Sequence, residues 1–194
     1  HWIGSAEMES QSVGGRPVDN KMFDPWFRKT FTLTESLKEA LIYVASIGYH
    51  ELYVNGCKIG NAVLAPSVTD HKSRARYVTY DISHYLKKGE NVIALWLGTS
   101  WAVFPAYQRN DKPAIPMALA QAEITLTSGS KVRVITDGSW KTHASPNVLM
   151  GYWDAHHFAG EFYDASLEIN GWNEAGFDDS EWAEAKVYQP QIMV

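Results

Sequence analysis

The stretch GEFYDASLEINGW, residues 160–172, sets Glu161 and Asp164 three apart among Phe162, Tyr163 and Trp172. Two carboxyl groups in an aromatic setting are the parts of a glycosidic-bond hydrolase, one to protonate the leaving oxygen and one to act as base or nucleophile. The spacing argues against that use. On an extended strand, residues three apart lie roughly 10 Å along the chain and point to opposite faces. A catalytic pair must instead face one pocket with its carboxyls about 5–9.5 Å apart. The favoured reading is that Glu161, Tyr163 and Asp164 fix a loop or a face that meets a neighbouring domain. They would do so by charge-assisted hydrogen bonds to backbone or to Arg28, Arg74 or Arg76. Direct contact with a sugar is the alternative.

A second set is aromatic. Trp101, Tyr107, Tyr152 and Trp153 lie beside polar residues in segments without a strand pattern. A pyranose can stack its C–H face on such rings while Asp154, His156, His157, Arg109, Asn110 and Asp111 bond its hydroxyls. The competing use is packing on an adjoining domain, since bare aromatics would leave an exposed apolar patch. Trp96, inside an apolar run, is expected in the core, and Trp140, Trp172 and Trp182 are expected to pin the C-terminal strands. Asp19, Asn20 and Asp24 offer the hard oxygens that calcium prefers, on an expected loop, without the defined spacing of an EF-hand. The adjacent His156 and His157 fall short of a zinc set. Cys57 is the single cysteine, so no internal disulfide can form. No Ser-His-Asp motif, phosphate loop or dinucleotide fingerprint is present.

The elements that would position these residues are strands. FRKTFTLT (27–34) alternates, with Phe27, Lys29, Phe31 and Leu33 on one side. ALIYVASIG (40–48) and NVIALWLG (91–98) are continuous apolar runs, as in strands covered on both faces. AQAEITLT and KVRVITD flank SGS as a hairpin, with Ala122, Ile124 and Leu126 inward. Asn55-Gly56 is a hairpin turn signal. DISHYLKKGEN (81–91) is the best candidate for a single helical turn. Residues 5–25 and 99–116 read as long loops. Many short strands with turns between them predict an all-β fold, an antiparallel β-sandwich or jelly roll.

The whole chain of 194 residues is 45% hydrophobic and 20% charged, with a net charge of -5 and no dividing linker. It is therefore expected to form one domain over 1–194, with 1–25 as a loop-rich lead-in. The acidic balance without a Lys/Arg run argues against nucleic acid or an anionic membrane as partner. The apolar runs are too short to span a bilayer. A start at His1, in mid-pattern, suggests a domain cut from a longer protein or a processed chain.

FRKTFTL, LIYVASIGYHELYVNGCKIGNAVLAP, RYVTYDISHYLKKGENVIALWLG, TDGSWK, GEFYDA and GWN…FDDSEW follow one another in one order across nearly all of the chain. This resembles the β-sandwich domain N-terminal to the catalytic domain in bacterial α-L-rhamnosidases. Leu64, Pro66 and Thr69, with GEFYDA and the closing tryptophans, carry the resemblance; the earlier pieces are shared with galactose-binding-like jelly rolls of β-galactosidase-like enzymes. The chain departs from the family at Ser100 and Ala102 around Trp101, at Ser166 and at Val68. The resemblance implies a non-catalytic domain that supports a separate (α/α)6 catalytic barrel of the same polypeptide, with a rhamnose-containing glycan as partner. A calcium ion and a periplasmic or extracellular location would accompany that role. An autonomous carbohydrate-binding module, a sugar-binding domain of a β-galactosidase-like enzyme and a self-sufficient hydrolase are the alternatives.

Overall fold

The computed structural model describes residues 1–13, 16–17, 21–151, 156 and 159–194. In chain order the strands are β1 (Trp2–Gly4), β2 (Ser12–Val13), β3 (Arg16–Pro17), β4 (Lys21–Leu33), β5 (Leu37–Ile47), β6 (Tyr49–Val54), β7 (Cys57–Lys58) and β8 (Tyr77–Asp81). They continue as β9 (Gly89–Gly98), β10 (Met117–Leu126), β11 (Lys131–Ile135), β12 (Lys141–Met150), β13 (Gly160–Tyr163), β14 (Ala183–Glu184) and β15 (Lys186–Tyr188). One sheet runs β15-β1-β10-β5-β8, with β11 added to β10; the other runs β13-β12-β4-β9-β6-β7, with β14 added to β12. The pairings are antiparallel and the two sheets form the expected sandwich. Among the described residues no helix is long and apolar enough to cross a membrane.

Alternation decides which side chains meet between the sheets. Phe27, Leu33, Ile42, Val44, Leu52, Ile93 and Leu95 fill the central core, joined by Ala122, Ile124 and Leu126 of the β10–β11 hairpin. β9 is buried on both faces for a specific reason. Its residue Ala94, together with Trp26 on β4, lies on the outer side of the sheet under Trp172 and Trp182 of the C-terminal segment. Trp26 stacks parallel to Trp172 at 4.5 Å and to Trp182 at 6.2 Å. Aromatic pairs of this kind add about 0.5–1.5 kcal/mol each beyond the area they bury. Arg28 holds the same segment down. Its guanidinium donates to the Asp179 carboxylate, to the Glu174 carbonyl at 2.9 Å and to the Phe177 carbonyl at 3.4 Å. Arg28 thus serves the C-terminal cover and is no partner of Glu161 or Asp164.

Three other expectations change. Residues 5–25 are not one surface loop: a 3-10 helix spans Ala6–Gln11 with Met8 fully buried, and β4 begins at Lys21. Between β8 and β9, residues 82–88 form turns rather than a helical turn, with Asp81 accepting from the Ser83 N–H at 2.9 Å and Gly89 opening β9 at φ +93°. Trp96 is half-buried rather than core, because its side chain lies at the edge of the tryptophan cover, edge-on to Trp26. The Asn55-Gly56 turn joins β6 to β7 with both φ angles positive, and the Asn55 side chain ties in Tyr85, Asn91 and Val92.

Candidate functional site

Prolines disturb the seven-stranded sheet where β4 meets β12. Pro25 and Pro146 cannot donate ladder bonds, and the register between the two strands shifts between Ala144 and Val148. The Asp24 side chain replaces what the ladder loses. Its Oδ1 accepts from the Thr99 N–H at 2.7 Å and from the Thr99 hydroxyl at 2.6 Å; its Oδ2 accepts from the Asn147 amide at 2.6 Å. One carboxylate therefore clamps the end of β9 to the bulge of β12. Three donors would normally hold a carboxyl acidic. Here complete burial outweighs them, with the nearby Glu161 charge adding to it, and Asp24 is pushed up to about 7.

In front of this clamp lies a cleft of about 430 Å³. Tyr49 crosses it from β6 and donates its hydroxyl to the Glu161 carboxylate on β13. The Tyr49 ring lies on the backbone of Gly98, where a Cβ would come within 2.0 Å of it, so a glycine is required there. Burial and the Glu161 charge raise the Tyr49 hydroxyl far above its ordinary value, which keeps it a donor. Tyr163, two residues after Glu161, also lines the cleft, as does the half-buried Trp96. Val63 and Leu64 form an aliphatic lip, 80% and 59% exposed, with Leu64 in the left-handed region at φ +54°. Behind the lip His50 bridges the sheets, its Nδ1 3.0 Å from the Ser46 hydroxyl and its Nε2 3.0 Å from that of Tyr80. Burial depresses His50 to about 4, so it is neutral. Indole and phenol faces beside carboxylate, amide and hydroxyl groups can stack a sugar ring and bond its hydroxyls.

Glu161 and Asp164 part company. The strand ends at Tyr163, and Asp164 turns to cap the 3-10 turn Ala165–Leu167. Its Oδ1 accepts from the Ser166 N–H at 3.0 Å and hydroxyl at 2.6 Å, while its own N–H donates to the Pro146 carbonyl. Arg76 donates to the Ser67 hydroxyl instead of to either carboxylate. Trp101 lies half-buried in the 3-10 turn Ser100–Val103, and Tyr107 packs on Phe104 and His71; neither lines the cleft. Arg109 is spent on Asp111 through two bonds of 2.7 and 2.8 Å. His156 is exposed. Tyr152, Trp153, Asp154, His157, Asp19 and Asn20 lie outside the described residues. Asp24 does not fit the calcium role: it sits inside a strand with both oxygens engaged, and among the described residues no three His, Cys, Asp or Glu side chains converge. Sequence reasoning passed over Asp24 as a clamp, and over Tyr49, Trp96 and Asn147. The local signals were Pro25 beside Asp24 and a glycine closing the β9 run.

Comparison with known proteins places the chain by family and fold. The family described as Alpha-L-rhamnosidase N-terminal domain matches residues 35–192. A curated α-L-rhamnosidase of Formosa agariphila is 30% identical over 174 residues, covering 86% of this chain and 18% of that protein. The α-L-rhamnosidase structure from Dictyoglumus thermophilum superposes with a TM-score of 0.79 at 32% identity, covering 99% of this chain and 21% of the other. A Pleurotus ostreatus lectin, at 20% identity and a TM-score of 0.58 over 97% of this chain and 41% of its own, shares the galactose-binding-like fold alone. The chain thus spans about a fifth of the rhamnosidases it matches, and it belongs to the α-L-rhamnosidase N-terminal domain family.

Proposed function

We propose that this chain is one β-sandwich domain of a longer α-L-rhamnosidase-like glycoside hydrolase, non-catalytic in itself, and that it supports the catalytic domain while its cleft contacts the rhamnose-containing glycan. The observation that carries the reading is the division of labour between the two carboxylates. Glu161 faces a cleft with Trp96 and Tyr163, while Asp164 is consumed in capping a turn. An acid and base cannot share one glycosidic bond from those two positions. The coverage of about a fifth of each matched rhamnosidase supports a division in which other parts of the polypeptide hydrolyse the bond. The family match favours this over the β-galactosidase-like alternative.

Calorimetric titration of the 194-residue protein with L-rhamnose tests it, with galactose as control and with and without calcium. Saturable, rhamnose-selective heat that Trp96→Ala abolishes is the expected outcome. Absence of heat up to millimolar sugar removes the glycan contact and leaves support of the catalytic domain. Turnover of an aryl α-L-rhamnoside by this chain alone refutes the non-catalytic assignment.

A further inference from the structure

The outer face of the six-stranded sheet is divided in a way that solvent does not explain. Residues directly opposite on neighbouring strands share a face, so the register orders that face into rows. In one row Arg133, Glu123, Leu41 and Asp81 stand side by side. Arg133 pairs with Glu123 at 2.6 Å. In the next row Ile135, Gln121, Tyr43 and Thr79 follow, and in the one beyond come Leu119, Ala45 and Tyr77. The intervening residues Ile42, Val44, Ala120 and Ala122 point into the core. A sheet face turned to water should carry polar side chains throughout. Here it changes within two rows from charged to aromatic and aliphatic.

The apolar half is hollow. Tyr43, Tyr77, Leu119 and Ile135 line a depression of about 430 Å³, together with His1 and Val194. The Tyr43 and Tyr77 rings meet edge to face at 5.9 Å, yet Tyr77 remains 54% exposed and Ile135 37%. The cleft of Glu161 and Trp96 belongs to the other sheet, so both surfaces can be occupied together.

We infer that this hollow is the docking face for another domain of the same, longer polypeptide, presenting an aliphatic or aromatic side chain against the Tyr43–Tyr77 pair and Ile135. The inference rests on reading the chain as one domain of a longer rhamnosidase. Roughly four-fifths of each matched rhamnosidase lies outside the part this chain covers. A tethered neighbour meets the face at an effective concentration of order millimolar, so a small apolar patch suffices to hold it. Contacts between domains of one chain are typically of about 600–1,500 Å² and semi-polar, which suits a hollow bordered by the Arg133–Glu123 row.

Tyrosine acetylation read by mass spectrometry tests the assignment, comparing the 194-residue protein with the product of the complete reading frame. Tyr77 is expected to label at least tenfold more slowly in the longer protein, while Tyr85, 38% exposed, serves as reference. Equal labelling of Tyr77 overturns the docking face. So does protection that disappears on dilution, which would mean a second copy covers it. Tyr77→Lys should leave the melting of the 194-residue protein unchanged and speed proteolysis between domains of the longer one; no effect on the longer protein also overturns it. Assaying the longer protein on an aryl α-L-rhamnoside separates the two readings: hydrolysis with Tyr77 still reactive refutes the docking face alone, and protection without hydrolysis refutes the functional assignment alone.

Discussion

Replacing Asp24 by Asn keeps the shape of the clamp and removes its charge. The amide oxygen still accepts from Thr99, and Asn147 need only present its own oxygen to the new NH2 group. What changes is the linkage to pH. The folded protein holds a proton on Asp24 up to about 7, whereas the unfolded chain releases it near 3.8. Stability from this group is therefore complete below the unfolded value and is lost progressively as pH rises towards 7. At about 1.4 kcal/mol per pH unit of displacement, the loss between pH 5.5 and pH 8 is about 2 kcal/mol. His50 acts in the opposite sense. Its folded value near 4 lies below the ordinary 6.5, so the unfolded chain takes up the proton first and acid destabilises the fold below about pH 6.5. His71, also depressed to about 4 by burial, acts in the same sense as His50; both are common to wild type and variant, so the difference between the two proteins isolates Asp24. Urea unfolding followed by tryptophan fluorescence at the two pH values should show the stability of Asp24→Asn, relative to wild type, about 2 kcal/mol more favourable at pH 8 than at pH 5.5. A relative stability that does not move with pH would mean that the three donors hold Asp24 ionised and that burial is the lesser effect.

Two further substitutions probe how the cleft and its cover are held. Gly98→Ala places a methyl group 2.0 Å from the Tyr49 ring, which should cost about 1–3 kcal/mol as the ring is displaced. The loss should largely vanish when the same change is made in a Tyr49→Ala background; additive losses in a double-mutant cycle would exclude the clash as the cause. Arg28→Ala strands the Asp179 carboxylate and two carbonyls of the C-terminal cover, and should cost about 3 kcal/mol, the lower end for a broken buried pair because Asp179 is 25% exposed. Trp172 and Trp182 should then become accessible to fluorescence quenchers before global unfolding, and quenching that sets in only with the main transition would count against a separate C-terminal latch.

The sandwich was legible because its signals are local. Alternation in β4 and in the β10–β11 hairpin sorts inward from outward residues without reference to partners, and Asn55-Gly56 marks a turn by its own conformational freedom. The errors came where a distant segment changes the environment. Residues 21–25 read as loop because Asp24 and Pro25 are poor strand formers, yet Thr99 and Asn147 compensate the lost ladder bonds from 75 and 123 positions away. Trp96 read as core because its strand is apolar on both sides, yet the tryptophan cover that buries Ala94 ends before enclosing it.

The cleft was hard to see for a related reason. It is assembled from β4, β6, β9, β12 and β13, each giving one to three residues, and from the loop that carries Val63 and Leu64, with no spacing between them to recognise. GEFYDA was the visible part, and its chemistry was read through the pair with the obvious charges. The geometry selects a different pair. Glu161 and Tyr163, two apart on a strand, share a face; Glu161 and Asp164, three apart across the end of that strand, do not. Ser166 makes the same point from the other side, since both its N–H and its hydroxyl go to Asp164 and thereby take that carboxylate out of the cleft's chemistry. What faces the cleft is the Glu161 carboxylate held by Tyr49, the Glu51 carboxylate held by Tyr53 and Lys58, and the clamped Asp24, beside aromatic faces and an aliphatic lip. Every carboxylate there is already engaged, which is why the proposed role is to hold a sugar rather than to break its bond.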